Sequence, residues 1–152
     1  MKNSPLQLEH YCVNAVHLDA NLDAKVAEKL EWRIDAKYDL ATHRDDSLRW
    51  KVDLMISFHA TEEAKSPYKG TLSFVGFFAV DASYPKDKVQ FLVETNGPSV
   101  LFGAVREMVA NITARGPWPM VLLPTQSFYQ SRANQLTATS TKPVKQAPVK
   151  KS

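Results

Sequence analysis

The 152-residue chain has one cysteine, five glycines and four histidines, and these scarcities exclude several classes of protein. Cys12 cannot form an internal disulfide, which fits a reducing compartment, and we expect it to be buried as a small hydrophobic residue. No apolar run approaches the ~20 residues of a membrane span, and residues 1–10 lack the apolar core of a secretory signal. We therefore expect a cytoplasmic protein without a membrane-spanning segment.

Recognisable catalytic and cofactor motifs are also missing from the sequence. The glycines are scattered and form no phosphate-binding loop, and neither GxSxG nor CxxC occurs. His17 and Asp19 lie two residues apart on one strand face, where they could supply half of a metal site. An isolated pair of this kind is more typical of an exposed polar contact. We therefore predict no enzyme activity, no bound metal and no cofactor.

The charge is distributed unevenly along the chain. The chain carries 19 basic and 16 acidic residues, and residues 131–152 contain four of the lysines (Lys142, Lys145, Lys150 and Lys151) and no acid. This terminal stretch has almost no apolar residue to bury, so we predict a domain over residues 1–130 and a disordered, solubilising basic tail after it. A tail that binds nucleic acid is the alternative, but the nearly neutral domain has no basic stripe, so nucleic acid is not an expected partner.

Four segments are typical of strands, and those over residues 30–40 and 48–60 alternate apolar and polar residues with the period of two of a half-buried strand. They cover residues 6–18, 30–40, 48–60 and 68–80 and are separated by turn-forming stretches. Residues 21–29 are either a short helix or a long connection. Because no long helix separates the four segments, they predict an antiparallel sheet.

The last third of the domain changes to a helical period. A short helix is expected after Pro85, ended by Asn96-Gly97, and then a longer helix over residues 99–115 with an apolar stripe. Its stripe consists of Leu101, Val105, Met108 and Ile112. Gly116 is a natural C-cap for this helix, the following Pro-Trp-Pro prevents its continuation, and an extended apolar segment and a last short helix near residue 130 come next.

More apolar surface is present than a single copy of this arrangement can bury. Helices that follow four strands can cover one face of the sheet, yet the segment 68–80 is apolar on both faces and the long helix is apolar over a wide arc. Self-association is the first explanation, and a groove that binds apolar partners is the second.

Residues 97–128 resemble the C-terminal half of the SecB family of export chaperones. The resemblance lies in a proline followed by an aliphatic-Leu-Phe start, an Arg-Glu pair, an Arg-Gly turn, an aromatic-proline step and a Leu-rich segment. These motifs are Pro98, Val100-Leu101-Phe102, Arg106-Glu107, Ala114-Arg115-Gly116, Trp118-Pro119, Leu122-Leu123-Pro124 and Phe128. The first half of the chain matches the family in its pattern of strands.

The resemblance implies an α+β fold, with a four-stranded antiparallel sheet followed by a long helix and short helices on one face. It also implies dimers that pair into tetramers, no enzyme activity, and long apolar grooves that bind unfolded polypeptides. Members of the family pass many of these clients to the SecA motor, and relatives serve as chaperones for antitoxins. Asp19 keeps one acidic position of the surface that faces SecA, but Ala15 and Lys69-Gly70-Thr71 replace others. We therefore expect client binding to carry over better than delivery to SecA.

The leading hypothesis is an ATP-independent holdase chaperone that buries apolar side chains of its clients. The candidate client-binding residues are Trp32, Ile34, Phe77, Trp118, Leu122 and Phe128. Trp118 is the strongest of them because prolines hold it on both sides, although it could instead plug the end of the long helix. The alternatives are a structural or adaptor subunit, which would use the same surface only for self-assembly, and a chaperone dedicated to one client.

Overall fold

The computed structural model describes residues 1–129, which form four strands and one long helix. The elements are β1 (Leu6–Ala20), β2 (Trp32–Thr42), β3 (Arg49–Ala60), β4 (Tyr68–Val80) and α1 (Val89–Thr113), with one-turn 3-10 helices at Glu63–Lys65 and Lys86–Lys88. The predicted α+β class, the strands and their antiparallel pairing are confirmed. The predicted tail and most of the last short helix fall outside the described residues.

The sheet has the strand order β1-β4-β3-β2, so β1 and β2 are its two edges. All three pairs of neighbours are antiparallel. Strand β1 contains two irregularities in its pairing with β4, one between Leu8 and His10 and one between Val13 and Ala15. An irregularity of this kind changes the face to which the following side chain points, so Leu8 lies beside buried Phe78 whereas His10 lies beside exposed Phe77.

The core lies between the sheet and α1, on what we call the helix face. Even-numbered side chains of β3 and β4 point to this face, and most of them are almost completely buried. They include Val52, Leu54, Ile56, Phe58, Leu72, Phe74 and Phe78. From α1 they meet a buried stripe of Val93, Leu101, Phe102, Val105 and Val109. The predicted stripe is therefore wrong at Ile112, which is exposed. The opposite side of the sheet, the open face, has no helix over it in the described part of the chain.

A single helix replaces the two that the sequence predicts. Gly97 and Pro98 are both buried inside α1 rather than at a break. A Cβ on Gly97 would lie 3.1 Å from a methyl group of Val52, so the glycine brings the helix close to the sheet. Packing of this kind outweighs the weak helix propensity of Gly and Pro. Helix α1 has 25 residues. Within residues 1–129 no helix is both long enough and apolar enough to cross a membrane.

The structure settles one alternative that the sequence leaves open and differs from two sequence-based expectations. The connection over residues 21–31 contains no helix and is held by the Asn21 amide, which donates to the Pro67 carbonyl oxygen (2.9 Å). Cys12 is exposed rather than buried, because it lies on the open face of an edge strand. Gly116 does not cap α1 in a left-handed conformation, since no glycine within residues 1–129 has a positive φ.

Candidate functional site

Strand β2 is the strand that α1 covers least. The helix packs mainly on β1, β3 and β4, and the helix-face side chains of β2 are only half-buried. These side chains are Trp32, Ile34, Tyr38 and Leu40. Their cover comes from residues 118–129, which we call the C-terminal segment, and from the β1–β2 connection. We call the space between the helix face of β2 and these two coverings the β2 groove.

The C-terminal segment is extended and is anchored to α1 by its backbone. The Arg106 Nε–H donates to the Leu123 carbonyl oxygen (2.6 Å), and the Val121 amide donates to the Thr113 hydroxyl (2.9 Å). The side chains of Val121 and Leu123 are buried, whereas the intervening Leu122 is exposed. Alternation along the extended segment therefore directs every second side chain away from the core.

Trp118 joins three parts of the structure at the end of α1. Its indole N–H donates to the Asn21 carbonyl oxygen (2.9 Å) in the β1–β2 connection, and its amide donates to the Tyr68 hydroxyl (3.1 Å). The same hydroxyl lies 3.4 Å from the Thr113 carbonyl oxygen. A Cβ at residue 116 would clash with the Tyr68 hydroxyl, so the close approach requires Gly116. The sequence leaves two roles open for Trp118, client binding and closing the end of α1. These contacts favour the second.

The lower end of the β2 groove is an apolar recess of about 270 Å³. Its walls come from the connection, from the start of β2 and from the C-terminal segment. The apolar lining residues are Val26, Ala27, Leu30, Trp32, Pro67, Pro119, Met120, Val121 and Leu122. Met120 is 57% exposed and Leu122 is 61% exposed, and both border the recess. Such contiguous exposed apolar side chains are typical of a surface that binds a partner.

Aromatic rings close the upper end of the groove. Phe128 packs edge-to-face between Tyr38 (centroids 5.8 Å apart) and Phe102 (6.0 Å). The next residue, Tyr129, packs on Phe91. Burial, and after it the carboxylate of Glu94, raises the pKa of the Tyr38 phenol above its ordinary value. The chain's own C-terminal segment thus occupies the upper groove and leaves the lower recess open.

The structure brings together five of the six predicted client-binding residues and separates the sixth. Trp32, Ile34, Trp118, Leu122 and Phe128 all lie along the β2 groove or at its ends. Phe77 lies on the open face, where its ring packs on His10 (centroids 5.0 Å). Met120 and Val26 are not among the predicted residues, because Val26 lies in a mostly polar connection and Met120 is one of several apolar residues in an extended segment.

Asp19 lies on the open face beside a basic side chain. Its carboxylate lies 2.9 Å from His17 Nε2, and its cross-strand partner is Lys69. His17 and Asp19 are both largely exposed, as expected for a polar pair. Within residues 1–129 no group of three or more His, Cys, Asp or Glu side chains is arranged to hold a metal ion.

A family model and a curated relative name the same family. The family model described as preprotein translocase subunit SecB matches residues 2–138. The protein-export protein SecB of Psychrobacter arcticus is 26% identical over 105 residues, which are 68% of this chain and 70% of that protein. An uncharacterized protein of Methanocaldococcus jannaschii is 26% identical over 130 residues, which are 85% of this chain and 83% of that protein.

A solved structure shows the same fold. The SecB-like chaperone of Mycobacterium tuberculosis, in complex with a peptide from the HigA1 antitoxin, aligns with a TM-score of 0.62 at 15% sequence identity. The alignment covers 81% of this chain and 91% of that one. At this level of identity the likeness establishes the architecture, a four-stranded antiparallel sheet followed by a long helix.

Proposed function

The chain belongs to the SecB family, and on that basis we propose that it is an ATP-independent holdase chaperone that binds unfolded polypeptides in the β2 groove. The observation that carries the proposal is the open recess beside Trp32, with Met120 and Leu122 more than half exposed at its border. Apolar side chains of a client would displace water from this surface and gain ~25 cal/mol for each Å² buried. Such binding demands little of the client's sequence.

The edge of the sheet offers a second source of affinity. Strand β2 is an edge, so one row of its backbone N–H and C=O groups has no strand partner within residues 1–129. An extended client could pair with this edge while its alternate side chains enter the groove. The other face of β2 carries charged side chains such as Arg33 and Asp35. The client side chains that point away from the groove would therefore lie in a polar environment.

Self-association into dimers and then tetramers accompanies this proposal. Three helix-face residues of β1 (Tyr11, Val13 and Val16) are 39–44% exposed, and Val100 and Ile112 of α1 are exposed as well. Strand β1 is the other edge of the sheet. A second copy placed against β1 and α1 would bury this surface without touching the β2 groove.

The proposal extends to client binding and not to efficient delivery to SecA. On the open face Asp19 has Lys69 as its cross-strand partner, and Ala15 stands where the family resemblance implies another acidic residue, so little of that acidic surface is kept. A dedicated client, of the kind that the mycobacterial antitoxin peptide represents for its own chaperone, is the alternative to a broad range of clients.

Suppression of aggregation tests the proposal. The full chain is added without ATP to an unrelated denatured protein, and light scattering is followed. We expect near-stoichiometric suppression, which the double variant Met120→Ser/Leu122→Ser should weaken at least about tenfold, because it removes the apolar border of the recess. Both side chains are exposed, so the variant keeps its core.

Met55→Ser provides the matched control. Met55 is 48% exposed, close to the value for Met120, but lies on the open face of β3. Its replacement should leave suppression unchanged. An adaptor subunit would suppress no aggregation at all, and a dedicated chaperone would protect its own client but not the unrelated protein. Equal losses in the two variants would show that clients bind elsewhere.

A further inference from the structure

We propose that His10 and Cys12 form half of a zinc site that is completed by the same two residues of a second copy of the chain. The site would lie on the open face at the β1 edge, away from the β2 groove. The proposal rests on the self-association through β1 proposed above and is independent of client binding.

The local structure places the two side chains as ligands of one metal ion. The irregularity between Leu8 and His10 directs His10 to the open face, where Cys12 also points. His10 Nε2 lies 3.3 Å from Cys12 Sγ. Tetrahedral zinc, with Zn–S near 2.3 Å and Zn–N near 2.0 Å, separates such a pair of donors by roughly 3.5 Å. Only a small adjustment is therefore needed for both atoms to bind one ion.

The neighbourhood of the pair also suits a structural metal site. The Phe77 ring packs against the His10 ring at an interplanar angle of 67°, which restricts the orientation of the imidazole. Val75, the cross-strand partner of Cys12, is buried and adds a second apolar wall. Both ligands remain exposed on the side away from the sheet, where an ion can enter.

Symmetry supplies the two missing ligands. Strand β1 has a free edge within residues 1–129, and a second copy can pair with it antiparallel about a two-fold axis normal to the sheet. If the axis passes Tyr11, His10 of each chain lies directly opposite Cys12 of the other, with Cβ atoms about 4.5–5.5 Å apart. The two pairs then converge on the axis and give a Cys2His2 set, a donor combination that zinc prefers. Each thiol releases its proton to solvent when the metal binds.

The same strand contains a matched control. His17 and Asp19 form another pair of potential ligands two residues apart on the open face, with donor atoms 2.9 Å apart. The two-fold axis at Tyr11 places no β1 residue of the second copy opposite either of them, because their counterparts would precede Leu6, where β1 begins. The pair should therefore bind zinc no better than two isolated surface ligands do.

Metal titration of the full chain, purified without a histidine tag and kept reduced, tests the proposal. We expect one zinc ion for two chains, and with Co²⁺ the absorption bands of a tetrahedral, thiolate-bound ion. Cys12→Ser and His10→Ala should each weaken zinc binding by about 100-fold, since a ligand from both chains is lost. His17→Ala should leave the affinity within about twofold of the unchanged protein.

Sedimentation with zinc and with a chelator completes the test. Zinc should shift the association of the unchanged chain toward the dimer, and Cys12→Ser should abolish that shift. A stoichiometry of one zinc for each chain, equal losses in the His17 and His10 variants, or a Co²⁺ spectrum without thiolate bands would each overturn the proposal. So would ready disulfide formation between two Cys12 residues without zinc binding, because it would place the axis at Cys12. None of these results bears on suppression of aggregation, which tests the chaperone separately.

Discussion

Strands β2 and β3 carry similar apolar side chains on the same face of the sheet, but their surroundings differ. Phe58 of β3 is 1% exposed under the main core, whereas Trp32 of β2, whose ring lies 5.8 Å from that of Phe58, is half-buried. The single helix packs on β1, β3 and β4 and leaves β2 the least covered strand. The strand at the far edge therefore receives an extended segment instead of a helix, and a cover of that kind leaves apolar surface accessible.

Alanine at these two neighbouring positions gives the largest expected contrast. Phe58→Ala should lower the free energy of unfolding by about 3–5 kcal/mol, because it opens a cavity in a closely packed core. Trp32→Ala should cost less, about 2 kcal/mol, since part of that side chain is already exposed to water. Urea unfolding followed by circular dichroism measures both values.

For client binding we expect the larger loss at Trp32 and the smaller one at Phe58, the reverse of their effects on stability. A conservative Phe58→Leu variant, which remains folded, should suppress aggregation as the unchanged chain does, whereas Trp32→Ala should suppress it poorly. Similar losses of stability for Phe58→Ala and Trp32→Ala would mean that the β2 groove is part of the core and not an accessible surface.

A smaller effect is expected from the anchor of the C-terminal segment. Arg106→Met removes the hydrogen bond from Nε to the Leu123 carbonyl oxygen, and we expect a loss of about 1.5 kcal/mol, because this charged donor serves a backbone acceptor beside the core. The amide of Val121 should exchange with solvent faster, since the segment then opens more often. Hydrogen exchange followed by NMR measures that rate.

Arg115→Met is the control for this change. Arg115 also donates to a backbone carbonyl oxygen, that of Asn111, but it does so within its own helix and at the surface. Its replacement should alter stability by less than about 0.5 kcal/mol. If the two variants open the segment equally, Arg106 does not hold it.

Hydrophobic periodicity predicts an element well where only one of its faces is buried. Strands β2 and β3 alternate with a period of two because they lie in a sheet with one covered face, so the alternation is visible in the sequence. The single helix through Gly97-Pro98 is not predicted, because the contact between Gly97 and Val52 joins residues far apart in sequence. Local propensity alone indicates a break there.

The groove is harder to predict than the strands. Trp32 and Leu122 are recognisable as apolar residues in extended segments, but their shared recess depends on how residues 118–129 return over β2. That path is determined by Arg106 and Thr113, whose polar side chains bind the segment's backbone and carry no hydrophobic signal. Alternation along β4 places Phe77 on the face opposite Phe78, so the sequence pattern already separates it from the groove.

The smallest expected effect concerns the titration of Tyr38 under the C-terminal segment. Burial is the larger cause of its raised pKa, and the carboxylate of Glu94 is the smaller one. Phe128→Ala removes the ring that packs on Tyr38 and should lower this pKa toward its ordinary value by admitting water. Glu94→Gln should lower it less. NMR of the chain with labelled tyrosine rings resolves Tyr38 and measures the pKa in each variant.

The same titration has a consequence for stability at high pH. The folded chain holds the Tyr38 proton more tightly than the unfolded chain, so the contribution is complete below the unfolded value of ~10 and is lost as pH rises through the folded value. Phe128→Ala should reduce this alkaline loss while leaving the pH dependence near neutrality unchanged. A Tyr38 titration that does not respond to Phe128→Ala would show that α1 and the sheet alone bury the phenol. The upper groove would then be closed without the C-terminal segment, and the contrast between the coverings of β2 and β3 would be limited to the lower recess.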